Sequence, residues 1–171
     1  MNIVLIGMMG SGKSTVGRLA AKKLQWEFYD SDRRIEEEEK MTISDIFEKK
    51  GEPAFRKIEE RVVGNLIREN ECVIAVGGGA PLSEENWRAF GINSTVLWLK
   101  VKPEILYKRL EHGGLKIRPL LKDSLSVERL SQILKDREPF YSRASLAIDT
   151  SGLEPEEAAE KVLELAIPKY K

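Results

Sequence analysis

The chain has 171 residues, with 28 Lys and Arg against 28 Asp and Glu, one histidine and one cysteine. This length predicts one compact domain over residues 1–171, and 42% hydrophobic residues suit an ordinary globular core. The net charge of zero argues against a module that binds nucleic acid or anionic lipid. No apolar run approaches the roughly 18 residues of a membrane span. We therefore expect neither a nucleic acid nor a membrane as partner.

The rarity of cysteine and histidine excludes several chemistries. Cys72 has no second cysteine to pair with, and its apolar surroundings predict a buried strand residue, not a reactive thiol. With His112 as the only histidine, a zinc site built on His and Cys and a Ser-His-Asp relay are both disfavoured.

Short apolar runs alternate with helical patterns, which predicts βαβ units and a parallel sheet. The predicted strands cover residues 3–6, 27–29, 72–76, 95–99 and, more weakly, 146–148. The predicted helices cover residues 14–24, 31–50, 53–69 after a break at Gly51, 103–111 and 155–167. Residues 33–62 thus hold two consecutive helices where one would connect the strands. Residues 112–125, with two glycines and three cations, are either a linker or a mobile lid.

The strongest functional signal is Gly7-Met8-Met9-Gly10-Ser11-Gly12-Lys13-Ser14, which matches the P-loop pattern G-x-x-x-x-G-K-[ST]. It follows the first predicted strand and opens the first helix, where backbone N–H groups and the helix dipole favour phosphate. Lys13 is predicted to bridge the β- and γ-phosphates, and the Ser14 hydroxyl to bind Mg²⁺. A P-loop indicates a nucleoside triphosphate without defining the acceptor.

Candidates for the acceptor site follow other predicted strands. Asp30-Ser31-Asp32 ends the second strand, so one carboxylate can face a metal and the other an acceptor, although a simple helix cap is the alternative. Arg56 and Glu59 can pair along one helix face, which by itself usually means a surface salt bridge. Gly77-Gly78-Gly79 after the third strand permits close approach of a ligand to the backbone.

Two further arginines lie later in the chain. Arg118 precedes Pro119-Leu120-Leu121 in the suspected lid, and Arg137 precedes Pro139-Phe140-Tyr141. Arginine suits bidentate contact with carboxylates and phosphates, but a single arginine is usually structural, so their functional interpretation depends on the other motifs.

Taken together and in this order, the motifs of residues 7–15, 30–32, 55–59, 77–79, 118–121 and Arg137 resemble those of the shikimate kinase family over essentially the whole chain. The resemblance implies a three-layer αβα fold of P-loop NTPase type, with a five-stranded parallel sheet in the order 2-3-1-4-5. It also implies transfer of the ATP γ-phosphoryl group to the 3-hydroxyl of shikimate, with Mg²⁺, in aromatic amino-acid biosynthesis. A cytoplasmic monomer is expected.

The resemblance also implies residue roles. Asp32, Arg56, Gly78 and Arg137 would hold shikimate, with the two arginines on its carboxylate. The residues that complete or support this pocket would be Phe47, Phe55, Glu59, Gly77 and Gly79. The residues that bind the nucleotide would be Gly10, Ser11, Gly12, Lys13, Ser14, Thr15, Arg109, Arg118 and Pro155. Lys13, Asp32 and Arg118 would be catalytic, and Ser14 and Asp30 would hold the metal.

The chain departs from the family pattern near the adenine. Leu153 stands where the family often has an arginine two residues before the loop proline, here Pro155. Arg109 is the nearest match to the arginine before the lid glycines, at a different spacing. We therefore expect mostly backbone and apolar contacts with the base.

Two alternatives remain open from the sequence. One is another small-molecule kinase of the same fold, acting on gluconate or a nucleoside monophosphate. The other is a catalytically silent binding protein, which the presence of both Lys13 and Asp32 argues against.

Overall fold

The computed structural model describes residues 1–112 and 125–167. Its strands are β1 (Asn2–Ile6), β2 (Glu27–Asp30), β3 (Cys72–Ala75), β4 (Ser94–Lys100) and β5 (Leu146–Asp149). Its α-helices are α1 (Lys13–Leu24), α2 (Ser31–Glu39), α3 (Ile43–Ile67), α4 (Glu84–Asn93), α5 (Pro103–His112), α6 (Val127–Tyr141) and α7 (Pro155–Ala166). All strand pairs are parallel, in the order β2-β3-β1-β4-β5, which confirms the predicted fold.

The central strand β1 is buried on both faces, as its uninterrupted apolar sequence predicts. Ile3 and Leu5 pack in one apolar cluster with side chains of α1 and α7. Val4 and Ile6 point the other way, into a cluster with side chains of α2 to α6. The alternation of side chains along one strand therefore joins the three layers.

The strand order places the ends of β2, β3 and β1 side by side. Ala75 of β3 is in register with Leu5 of β1 on one side and with Asp30 of β2 on the other. The three segments that follow these strands (residues 7–14, 30–32 and 77–79) consequently meet at one edge of the sheet, where ligands of open parallel sheets bind.

The predicted helix over residues 31–50 is wrong in one respect, because it is two helices. Helix α2 ends at Glu39, since Lys40 adopts a left-handed conformation with φ 53°. Thr42 then begins α3, its hydroxyl accepting a hydrogen bond from the backbone N–H of Asp45. The predicted break at Gly51 is confirmed as a kink inside α3, with φ 80° and ψ 166°.

Helices α4 and α6 were not predicted, although the sequence carries signals for both. Ser83 caps α4 and Ser126 caps α6, each accepting a hydrogen bond from the backbone N–H three residues later. Apolar side chains at helical spacing then face the core in both helices.

The prediction that Cys72 is buried is confirmed, since its residue is 0% exposed and burial raises the pKa of its thiol to about 11. Within the part of the chain that the structure describes, no helix combines the length and apolar character needed to cross a membrane.

Gly17 sets the distance between α1 and the sheet. A Cβ atom at Gly17 would lie 2.6 Å from Cε2 of Phe28 and 3.3 Å from Cδ1 of Leu5. We expect Gly17→Ala to lower the free energy of unfolding by about 1–3 kcal/mol, because it overpacks this interface. Denaturant unfolding measures the change.

The matched control is Gly64→Ala in α3, where a Cβ would meet no atom within 4 Å. This variant should be more stable than the parent by about 0.5–1 kcal/mol, because alanine favours a helix more than glycine does. A Gly17→Ala protein as stable as the Gly64→Ala protein would contradict the tight packing described for α1.

Candidate active site

The loop between β1 and α1 has the geometry of a phosphate-binding turn. Gly7 has φ 144°, and a Cβ there would lie 2.7 Å from the carbonyl oxygen of Leu99. Gly12, the N-cap residue just before α1, has φ 91°. Both positions therefore favour glycine, and the turn directs backbone N–H groups to the end of the helix that attracts anions.

Two side chains in this loop are suited to a bound phosphate. The Nζ atom of Lys13 donates to the carbonyl oxygens of Gly7 and Met8, each at 2.9 Å, which holds the ammonium at the loop. Ser11 is 1% exposed, and its Oγ has no hydrogen-bond partner among the described residues. A buried hydroxyl without a partner costs free energy, so an acceptor oxygen from a ligand would satisfy it.

Ser14 and Asp30 form a pair of oxygen atoms beside this loop. The Ser14 hydroxyl donates to Oδ2 of Asp30 at 2.5 Å. The Oδ1 atom of Asp30 accepts from the backbone N–H groups of Asp32 and Arg33, so Asp30 also caps α2. Within residues 1–112 and 125–167, no group of three His, Cys, Asp or Glu side chains gathers as a metal site. A cation at Ser14 and Asp30 would therefore need ligands from water or a bound nucleotide.

A cavity of about 870 Å³ lies over the P-loop. It is lined by ten of the predicted nucleotide, metal and catalytic residues, namely Gly10, Ser11, Gly12, Lys13, Ser14, Thr15, Asp30, Asp32, Arg109 and Pro155. It is also lined by Leu153, which the sequence analysis associated with the base, and by residues that it did not predict as contacts, including Arg33, Glu36, Thr150 and Glu154. The structure therefore brings residues 9–16 and 150–158, which are far apart in the sequence, together in one cavity.

Arg109 connects two walls of this cavity. Its Nη1 lies 3.5 Å from the carbonyl oxygen of Gly10, and its Nη2 lies 3.3 Å from that of Thr150. Arg109 therefore lies beside the P-loop, although its position in the sequence differs from that of the family's arginine. Arg118 lies outside the described residues, as does nearly all of the suspected lid.

Asp32 and Glu59 converge on Gly77, beside the same strand ends. A Cβ at Gly77 would lie 2.5 Å from Oδ1 of Asp32 and 3.0 Å from Oε1 of Glu59. The backbone N–H of Gly77 donates to the Ser31 hydroxyl at 3.0 Å, which ties this segment to the start of α2. The second carboxylate of the Asp-Ser-Asp motif therefore faces the triple glycine.

Arg56 packs against Gly79, where a Cβ would lie 2.5 Å from its Nη1. The same Nη1 donates to Oε2 of Glu59 at 2.8 Å, and Nη2 donates to Oε1 of Glu52 at 3.0 Å. The predicted pairing of Arg56 with Glu59 is thus confirmed. It is not a surface salt bridge, because the Glu59 side chain is only 1% exposed.

Arg137 reaches the middle glycine from α6. It is 7% exposed, and its Nη1 donates to the carbonyl oxygen of Gly78 at 3.1 Å. The hydroxyl of Tyr141 donates to the same carbonyl at 2.7 Å. Asp32, Arg137 and Arg56 therefore meet successive glycines of one segment, although they come from three different helices.

Phe47 and Phe55 contribute packing to α3. Their ring centroids are 4.5 Å apart, and Phe55 is a buried residue of the apolar core at 4% exposure. Neither is among the described residues that line the cavity over the P-loop.

Burial controls the charge of Glu59. Desolvation raises the pKa of Glu59 to about 7, against the lowering effect of Arg56, and the nearby carboxylate of Asp32 raises it further. The side chain can therefore exchange a proton near neutral pH without leaving the site.

Sequence reasoning missed Ser31 and Tyr141 as contributors to the site. Ser31 stands between the two aspartates that attracted attention, and Tyr141 lies one helical turn after Arg137. The i, i+4 spacing of Arg137 and Tyr141 could have indicated that they share a helix face, had α6 been predicted.

The fold and the P-loop cavity together define the class, which is that of the P-loop kinases. The shikimate kinase family model matches residues 9–166. The chain belongs to the shikimate kinase family.

Individual relatives agree along nearly the whole chain. A shikimate kinase of Thermodesulfovibrio yellowstonii is 43% identical over 162 residues, which cover 95% of this chain and 92% of that one. The structure of the Acinetobacter baumannii shikimate kinase in complex with shikimate has a TM-score of 0.90 at 38% identity, covering 96% and 91% of the two chains. That of the Bacteroides thetaiotaomicron enzyme has a TM-score of 0.88 at 32% identity, covering 96% and 97%.

The raised pKa of Glu59 predicts a stability effect with a definite sign. Because the folded protein binds this proton more tightly than the unfolded chain does, the stabilising contribution is complete below pH 4.5 and is lost as the pH rises through about 7. We expect the unfolding free energy of the parent, relative to Glu59→Gln, to fall by about 2–3 kcal/mol between pH 4.5 and 7.5. Urea unfolding at several pH values measures it.

The control is Glu85→Gln, which changes an exposed carboxylate of α4. Its unfolding free energy should follow that of the parent across the pH range. If Glu59→Gln also ran parallel to the parent, the carboxyl would not be held in the environment described.

Proposed function

We propose that the protein transfers the γ-phosphoryl group of ATP to the 3-hydroxyl of shikimate, giving shikimate 3-phosphate and ADP, a step of chorismate and aromatic amino-acid biosynthesis. The observation that carries the proposal is the convergence of Asp32, Arg137 and Arg56 on the glycine segment 77–79, next to the P-loop cavity. Two arginines suit an acceptor that carries a carboxylate, because each guanidinium can form paired hydrogen bonds with it.

The nucleotide binds with its phosphates on the P-loop. Lys13 contacts the β- and γ-phosphates, and the other loop residues contribute backbone N–H groups. Arg109 and Pro155 lie beside the remainder of the nucleotide. Arg118, which lies outside the described residues, would bind the phosphates. The Leu153 side chain contributes an apolar surface near the base.

Ser14 and Asp30 are the residues that would hold Mg²⁺. The donors fit this ion, because a hydroxyl and a carboxylate 2.5 Å apart supply the oxygen ligands that magnesium prefers. When bound, Mg²⁺ would neutralise the charge that develops on the phosphates during transfer.

The acceptor binds between the arginines and Asp32. Arg56 and Arg137 hold its carboxylate, and Asp32 orients its 3-hydroxyl toward the γ-phosphorus. The new bond joins the acceptor oxygen to phosphorus as the bond from phosphorus to the ADP oxygen breaks, and Asp32 takes the hydroxyl proton late. Gly77, Gly78 and Gly79 give the acceptor access to the backbone, and Glu59, Phe47 and Phe55 support Arg56 on α3.

Two segments move during the cycle. The helical segment 33–62, which has its kink at Gly51, would close on the acceptor. The second expected movement is closure of residues 112–125 on the nucleotide, and all but the two ends of that segment lie outside the described residues. Closure excludes water and so suppresses hydrolysis of ATP. The protein works as a monomer in the cytoplasm.

The decisive experiment is ADP release from ATP with shikimate, gluconate and nucleoside monophosphates offered in turn. We expect ADP release at least 100-fold faster with shikimate than with the others, because only a carboxylate beside a ring of hydroxyls uses both arginines and Asp32. A preference for gluconate or a nucleoside monophosphate would establish another kinase, and ATP binding without turnover of any acceptor would establish a silent binding protein.

Asp32→Ala should separate catalysis from nucleotide binding. We expect kcat to fall by about 10²–10⁴-fold, since the hydroxyl loses the group that orients it and takes its proton. The affinity for ATP should stay within about 2-fold, because other residues hold the phosphates. Steady-state kinetics and calorimetric titration with nucleotide give the two quantities.

Asp136→Ala is the control, since Asp136 is an exposed carboxylate of α6 bonded to Gln132. It should keep parental kcat. An Asp32→Ala enzyme that lost ATP affinity as much as turnover would contradict the role given to Asp32.

A further inference from the structure

The Tyr141 hydroxyl lies where two parts of the acceptor site meet. It donates to the carbonyl oxygen of Gly78 at 2.7 Å, and Nη1 of Arg137 lies 3.5 Å from the same hydroxyl oxygen. Arg137 Nη1 also donates to the Gly78 carbonyl at 3.1 Å. Hydroxyl, guanidinium and carbonyl therefore form a closed triangle.

The position of this hydroxyl is rigidly determined. Tyr141 is 0% exposed, and its ring packs against Trp98 of β4 with centroids 5.5 Å apart. Burial raises the pKa of Tyr141, so the phenol keeps its proton and acts as a donor at neutral pH. The donor is thus supported by the sheet and does not depend on a loop.

The triangle determines which edge of Arg137 remains for a ligand. In the described part of the chain, every hydrogen bond of this guanidinium runs through Nη1, to the Gly78 carbonyl, the Tyr141 hydroxyl and the sulfur of Met8. A carboxylate binds side by side to two nitrogens of a guanidinium, and with Nη1 engaged the edge formed by Nη2 and Nε is the one that can receive it.

We propose that Tyr141 is a positioning residue for the carboxylate of the acceptor, acting through Arg137 and Gly78. Its hydroxyl fixes Nη1 and the Gly78 carbonyl together, so that the Nη2–Nε edge is presented to the incoming carboxylate without a loss of side-chain freedom on binding. The inference rests on the proposed function, in which Arg137 binds that carboxylate.

The test is Tyr141→Phe, which removes one oxygen and keeps the buried ring. We expect the Kd and KM for shikimate to rise roughly 5- to 30-fold, the effect of losing one positioned hydrogen bond in a buried network. The kcat at saturation and the KM for ATP should stay within about 2-fold of the parent, because Tyr141 acts on the acceptor's carboxylate and not on the reacting atoms.

The methyl ester of shikimate provides a readout that a structural role would not change. It lacks the negative charge, so its affinity should change by less than about 2-fold on Tyr141→Phe, while that of shikimate falls. In an Arg137→Lys background the planar guanidinium is absent. There, Tyr141→Phe should lower the affinity for shikimate by less than about 2-fold.

Tyr107→Phe is the matched control, since the Tyr107 hydroxyl is exposed on α5 and bonds only to Glu111 among the described residues. It should leave both affinities unchanged. Equal losses for shikimate and its ester would make Tyr141 a structural residue and overturn the inference, as would an unchanged shikimate affinity. A parent that neither binds nor phosphorylates shikimate would instead overturn the proposed function itself.

Discussion

The charged groups of the proposed acceptor site lie against a stretch of backbone that carries no side chains. A Cβ at Gly77 would enter the space of Asp32, and one at Gly79 would enter that of Arg56. Since these contacts would be 2.5 Å long, the charged side chains occupy their places only because residues 77 and 79 are glycine. The position of Glu59, the reach of Arg137 and the shape of the acceptor site all depend on this close approach.

Electrostatics explains why these charges tolerate burial. Glu59 would be costly to ionise alone in the core, and Arg56 offsets much of that cost through a direct hydrogen bond at 2.8 Å. Asp32 acts in the opposite direction on Glu59. The pKa of Glu59 therefore lies near neutral pH, so this carboxyl group gains or loses a proton with small changes in pH. A ligand carboxylate that approaches the arginines adds a negative charge to this balance, so binding and protonation of Glu59 are expected to be linked.

Two neutral hydroxyl groups hold the glycine segment in place beside the charged side chains. Ser31 binds it at Gly77 from the start of α2, and Tyr141 binds it at Gly78 from the end of α6. A segment without side chains has the largest backbone entropy to lose, so two hydrogen bonds to two different helices are a direct way to keep it in one conformation. The acceptor site is thus supported by the layers of the fold as much as by its charged residues.

The sequence alone predicted the strands, their parallel pairing and the P-loop, because apolar periodicity and the Gly-Lys-Ser pattern are local properties of the chain. The strand order was implied only by the resemblance to the shikimate kinase family. It also identified Asp32, Arg56, the triple glycine and Arg137 as candidates, by motif order. Only the tertiary structure placed these residues on successive glycines, made Glu59 a buried partner of Arg56 and gave Ser31 and Tyr141 a role. Those features depend on the distances between helices that are far apart in the sequence, and such distances follow from how these helices pack together on one face of the sheet, which no local pattern records.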